Sequence, residues 1–301
     1  MQSPVAFLLI LSAGVGVAEA QTMRPFSTFR QHHGETRLHA HLEYGSGNLR
    51  LQPGEPRELY RMSLSYDQDR FLPISDFDSP GGTVHLGLKP RGEGGVRVVS
   101  RNQLSQAALV SLSPRVELNL DLSLGAVNAD LELGGLRLSG IDVKTGASQA
   151  TVRFSRPNTM RCRSATFSAG AAEVSVIGLG NSRCEEIVFE GGVGKVLLDF
   201  SGASSSNARA AVKMAVGGIT LRLPRAAGVR ITMDKFLSSF EPAGLVRRAG
   251  AFVSSNYDKA DRKLEIELST AIGGVEVEWV TEVRGERSEV RGERSEVRGE
   301  K

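Results

Sequence analysis

From residue 116 onward the chain alternates apolar and polar positions in short bursts, each punctuated by glycine. In VELNLDLSL, Val116, Leu118, Leu120, Leu122 and Leu124 occupy every second position. That is the period of a β-strand with one buried face. Gly125 follows, then a second apolar burst at 129–133 and Gly134-Gly135. The unit then recurs. LRLSGIDVKTG ends at Gly146, and ATVRF occupies 150–154. Residues 165–167 lead into Gly170 and VSVIGLG; 187–189 lead into Gly191-Gly192 and KVLLDFSG. Residues 212–216 lead into Gly217-Gly218 and ITLRLP; 264–268 lead into Gly273-Gly274 and VEVEWV.

A short strand, a glycine and a second short strand, repeated every 20 to 30 residues or so, is the pattern of a β-solenoid. One such coil cannot bury its own apolar face, but stacked coils bury a continuous column. The sequence therefore predicts an all-β fold, a parallel β-solenoid-like coil with very little helix. Gly125, Gly146, Gly170, Gly192, Gly218 and Gly274 are assigned to its corners, where tolerance of positive φ allows a tight turn. An antiparallel sandwich or barrel also has short strands and glycine turns. The recurring unit favours the coil.

Residues 35–115 are less regular and predict first rungs and a cap. Within them, 37–51 reads as a strand, a glycine turn and a second strand, and 59–66, 83–88 and 94–100 read as further strands. Pro73, Pro80, Gly81 and Gly82 read as an irregular connection between them. Residues 116–230 form the regular coils. Residues 231–280 form a looser extension, rich in aromatics around 236–257, and the closing strands. Residues 281–301 carry a repeated EVRGERS segment whose only apolar side chains are three valines, too few to repay ordering. A disordered tail is expected there.

The N-terminus changes the picture of where this domain works. Val5 to Ala18 carries no charge, and Ala18-Glu19-Ala20 places small residues where a signal peptidase reads. Residues 1–20 are expected to be a signal peptide and 21–34 a flexible mature N-terminus, which makes the protein exported, periplasmic or extracellular. No later segment is apolar enough to span a bilayer. The basic excess is small: 37 Lys and Arg against 34 Asp and Glu, formal charge +3. With no basic patch interleaved by aromatics, a nucleic-acid partner is not expected.

Candidate chemistry is sparse. Cys162 and Cys184 each precede a phenylalanine by the same interval (Phe167, Phe189) and so hold equivalent places in consecutive coils. Parallel strands about 4.8 Å apart bring such a pair within disulfide reach, and export permits the bond. Two thiols stacked in the core are the alternative. His39 and His41 share one strand face, and with His32 and His33 they offer transition-metal ligands. The plainer reading is an exposed polar strand, and no metal or cofactor is assigned. GGVGK at 191–195 lacks the spacing and the Ser or Thr of a phosphate loop. The acidic residues alternate with apolar ones and read as solvated, and GxSxG is absent. No catalytic residues are assigned.

The segments GGVGKVLLDFSG, ITLRLPRAAGVRI and SSNYDKADRKLEIELSTAIGGVEVE resemble bacterial exported proteins carrying the toast-rack domain. They are also similar to the C-terminal domain of the cell-wall-active antibiotics response family. The resemblance spans about residues 35–280. It implies a right-handed parallel coil in an extracytoplasmic setting and supplies no catalytic residues. The expectation is a non-enzymatic, envelope-associated structural or interaction module. A sensor or adhesin-like domain for an envelope ligand is the next reading, and a glycan-acting enzyme on a solenoid the last. The partner would be an envelope protein or surface ligand, or a second copy through the coil ends.

Overall fold

The computed structural model describes residues 22–92, 106–203 and 206–281. The expected signal peptide, the strand at 94–100 and the EVRGERS repeats lie outside these residues. In chain order the elements are β1 (Met23–Gln31), β2 (Arg37–Pro53), β3 (Glu58–Asp67), β4 (Phe71–Asp78), β5 (Thr83–Pro90), β6 (Ala107–Leu112), β7 (Glu117–Glu132), β8 (Arg137–Thr145), β9 (Gln149–Arg153) and β10 (Cys162–Ile177). After the single turn of helix α1 (Leu179–Ser182) come β11 (Cys184–Asp199), β12 (Ala208–Pro224), β13 (Gly228–Glu241), β14 (Leu245–Arg248), β15 (Ala251–Ser254) and β16 (Lys263–Val280).

The sixteen strands join one sheet. Its body is a parallel ladder in which β2 pairs with β7, β10 with β11, β11 with β12, and β12 with β16. Between β7 and β10 one rung is split, with β8 covering the first half and β9 the second. The N-terminal end is closed differently. β5 and β6 lie end to end along successive halves of β2, and β4, β3 and β1 pair antiparallel beyond them. Pro73, read from the sequence as part of a connection, lies inside β4, which among the described residues pairs only with β5. Its missing N–H is tolerated there because no described strand needs it on the other side of β4.

Apart from the unit around Gly146, which stays two strands as β8 and β9, each glycine unit is one long strand with a bend. Residues 37–51, expected as two strands about a glycine turn, are part of the continuous β2. In β7, Leu118, Leu120, Leu122 and Leu124 are buried, and then Val127, Ala129 and Leu131. Burial passes from even to odd positions at Gly125-Ala126. The same change of phase occurs in β12, from Val212 and Met214 to Ile219 and Leu221, and in β16, from Leu268 to Val275. A flat strand would send the second half of each side-chain set outward. The bend keeps both halves on the core.

Gly125, Gly146, Gly170 and Gly192 serve this bend by being small. A Cβ on Gly125 would stand 2.2 Å from the Gly45 carbonyl oxygen, and one on Gly192 would stand 2.6 Å from that of Gly170. Gly146 and Gly170 stack in the same column, with 3.3 and 3.1 Å to the carbonyl before them. None of the six assigned glycines has positive φ. Near Gly192, Gly218 and Gly274 that conformation falls one or two residues away, on Gly194 (φ 148), Gly217 (φ 142) and Gly273 (φ 144). The ladder does not stack Gly218 on Gly192, although the sequence assigns both to corners. Gly218 pairs with Lys195 and Gly274, and Gly194 pairs with Gly217.

Asparagines hold the corners between rungs. The buried Asn158 donates through Nδ2 to the Leu138 and Ser182 carbonyls and accepts from the Leu138 N–H. Asn181 donates to Phe154 O and accepts from Ala203 N–H, and Asn256 donates to the Arg225 and Ala227 carbonyls. Turn backbones that no ladder can serve are satisfied in this way.

At the C-terminal end the chain departs from sequential stacking. β13 is laid down before β16 but lies outside it, so the last strand inserts between β12 and β13. The interruption of the period at 231–257 is therefore an outer parallel rung followed by the β14–β15 hairpin.

Candidate functional site

Cys162 and Cys184 stand opposite each other where β10 and β11 begin, and they are joined in a disulfide with an S–S distance of 1.98 Å. No thiol is left free among the described residues. The GGVGK segment lies within β11, which continues straight through it, so its glycines belong to the bend and do not open a helix.

The histidines separate into two groups. His32 and His33 sit in the turn after β1, where their rings bond the backbone carbonyls of Glu35 and Gln31. They do not join His39 and His41. Alternation along β2 turns both of the latter outward. On the neighbouring rung Asp121 stands in register with His41, and on the other side so does His85 of β5. The Asp121 carboxylate reaches both imidazoles through one oxygen, Oδ2, at 2.8 Å from His39 Nε2 and 3.2 Å from His41 Nδ1. The rings of His39 and His41 are 4.1 Å apart, and His85 stacks on the far face of His41 at 4.8 Å and 11°. Burial pushes the His41 pKa down. Positive charge on His39 or His85 would push the same way, against the opposing pull of Asp121. On the next rung Asp142 pairs in register with Asp121, and Lys144 Nζ bonds its Oδ2 at 2.8 Å.

Sequence reasoning found His39 and His41 on one face but missed Asp121 and His85. Both lie on outward positions of their own strands. What brings them together is the register between strands, separated by 82 residues in the His39–Asp121 case.

The site opens on a groove of about 1410 Å³ that crosses the rungs, with His41, His85, Asp121, Lys144, Glu190 and Lys213 among its lining residues. Its polar wall is a ladder row running Ser123, Lys144, Ser168, Glu190, Lys213 and Ser269. A second, apolar row lies just past the bend: Ala171, Val193, Val216, Ile272 and Leu237 are successive partners on five rungs. Val193 is 55% exposed, Val216 40%, Ile272 49% and Leu237 64%. The row ends on β13, whose outer side is covered by β15 only at Arg230 and Ile231. Among the described residues no strand pairs with 232–241 on that side. No helix among them is long and apolar enough to cross a membrane.

Several solved structures match the chain at low identity. A proposed cell adhesion protein from Clostridium sporogenes is 17% identical, with 86% of this chain and 100% of that one covered and a TM-score of 0.46. A proposed adhesin from Bacteroides fragilis is 11% identical over 85% and 97% of the two chains, with a TM-score of 0.33. A proposed lipid-binding protein from Parabacteroides distasonis is 12% identical over 86% and 98%, with a TM-score of 0.36. No curated protein matches the sequence. Residues 18–177 match the family described as the N-terminal domain of toast_rack, DUF2154. The match is to this domain and not to the cell-wall-active antibiotics response family, which narrows the resemblance read from the sequence. With more than half of its length matched, and a ladder of bent parallel rungs beneath that match, the chain belongs to the toast-rack family.

Proposed function

We propose that this protein is an exported, non-catalytic interaction module that receives an extended partner strand on the open edge of β13. The observation that carries the reading is the apolar row ending at Leu237 on that edge. Solvated faces of a solenoid are ordinarily polar, and contiguous exposed apolar surface marks contact sites. A strand added beside 232–241 gains main-chain hydrogen bonds from the unpaired edge, and its side chains extend the row from Leu237. The Cys162–Cys184 bond supports an oxidising compartment, since cytosolic proteins seldom keep structural disulfides. With both thiols in that bond, cysteine nucleophile chemistry has no group to act through.

Site-specific photo-crosslinking in the exporting cell tests this. A benzophenone side chain at Leu237 is expected to give a discrete adduct, and Ile272→Lys in the same chain is expected to reduce its yield at least fivefold or so. The same probe at the solvated Glu185 of β11 is the control. The mass of the adduct separates a second copy of this chain from a different protein. Equal labelling from the two positions, or an adduct indifferent to Ile272→Lys, removes the basis for the proposal.

A further inference from the structure

We propose that His39, His41 and Asp121 form a binding site for a divalent transition-metal ion of the zinc type. This goes beyond the docking reading and does not depend on it. The three residues lie before the bend, His41 and Asp121 lining the groove, whereas the apolar row lies after it.

The argument starts from donor chemistry. Two imidazoles and one carboxylate are the donor set of three-protein-ligand zinc sites. Calcium and magnesium prefer all-oxygen shells, so this set selects against them. Geometry follows. One donor atom from each residue lies within 4.8 Å of the other two. In a tetrahedral site with bonds of about 2.0–2.1 Å the donors stand about 3.4 Å apart. Two of the pairs lie inside that distance, at 2.8 and 3.2 Å, and the third within 4.8 Å, so side-chain rotations of the half-buried rings bring the set to tetrahedral spacing.

Support around the ligands is also in place. The donors come from two strands held in parallel register, His41 directly opposite Asp121. His85 packs flat on His41 and restricts its ring. A donor set on paired strands needs less ordering on binding than one on a loop. Asp121 Oδ2 hydrogen-bonds His39 Nε2 and lies 3.2 Å from His41 Nδ1. A metal ion would take the place of the proton held between His39 and Asp121, satisfying the same carboxylate and both nitrogens. His41 and Asp121 also line the groove. The fourth position therefore faces solvent and is open to water or to an anionic group of a bound molecule.

Calorimetric titration of the mature, disulfide-bonded protein with Zn²⁺ tests the proposal, with Co²⁺ absorption spectra reporting the ligand set. One equivalent is expected to bind, and Co²⁺ to show the intense visible bands of a four-coordinate site. Asp121→Asn is expected to weaken Zn²⁺ binding at least tenfold or so, and His39→Ala with His41→Ala to abolish it. The double variant His32→Ala with His33→Ala is expected to bind as the parent does. His39→Gln, which keeps a polar side chain on the strand, guards against loss through misfolding, and circular dichroism checks each variant. Absence of saturable Zn²⁺ binding by the parent overturns the assignment. So does unchanged affinity in the His39→Ala, His41→Ala protein, or loss of binding on removing His32 and His33.

Discussion

Adjacent glycines in this chain do different work, and spacing alone does not tell them apart. At Gly194 the backbone has φ 148, and a Cβ would stand 1.9 Å from the Ala172 carbonyl oxygen. At Gly218 φ is not positive, and a Cβ would meet nothing within 4 Å. Gly194→Ala is therefore expected to cost more than about 2 kcal/mol, since strain and backbone clash add. Gly218→Ala is expected to be neutral or to stabilise by about 0.4–1 kcal/mol, by restricting the unfolded chain. Urea denaturation of the two variants checks this, and a reversed order would refute the account of the bend. The pairing of Cys162 with Cys184 was readable as one of two options because equal intervals to Phe167 and Phe189 fix their relative place. Asp121 beside His39 was not readable, because local alternation says which residues point outward and says nothing about which strand lies next door.

At the scale of elements, the period-two pattern located the strands but divided them wrongly. Gly125 reads as a turn when only β7 is considered. The neighbouring rungs make it a bend instead, since pairing with β2 and with the split rung of β8 and β9 resumes on both sides of it. The sequence also hid what closes the corners between rungs. Asn158 looks like any loop asparagine, yet it is buried and serves the backbone groups of Leu138 and Ser182, one rung to either side. Replacing it with leucine would leave those groups dry and unpaired, with a penalty of about 1–3 kcal/mol for each unsatisfied group. Asn158→Leu is expected to lower stability by about 3 kcal/mol with little change in the dependence on denaturant. Asn158→Asp is expected to do no better, because its carboxylate would face the same two carbonyls. A midpoint for either variant within error of the parent would show that water substitutes for the amide.

For the whole molecule, a stack whose rungs touch only their neighbours distributes stability unevenly along its axis. The interior rungs β10, β11 and β12 have a full-length parallel partner on at least one side and share a buried file that includes Phe167, Phe189 and Val212. The two ends are unlike each other. At the N-terminal end, β3 and β6 put Met62, Leu64, Val110 and Leu112 into the core. At the other end the β14–β15 hairpin joins β13 through two residue pairs, and three of the four residues of β14 are exposed. Amide hydrogen exchange followed by mass spectrometry is accordingly expected to open residues 245–254 first and then 232–241. Exchange from β10 to β12 should be slowest, approaching the global unfolding limit. The order matters because an edge that is to accept a partner strand has to be accessible while the column beneath it stays closed. Protection of 232–241 as strong as that of β11 in the isolated protein would mean that something already covers the edge, and a second copy of the chain is then the first occupant to look for.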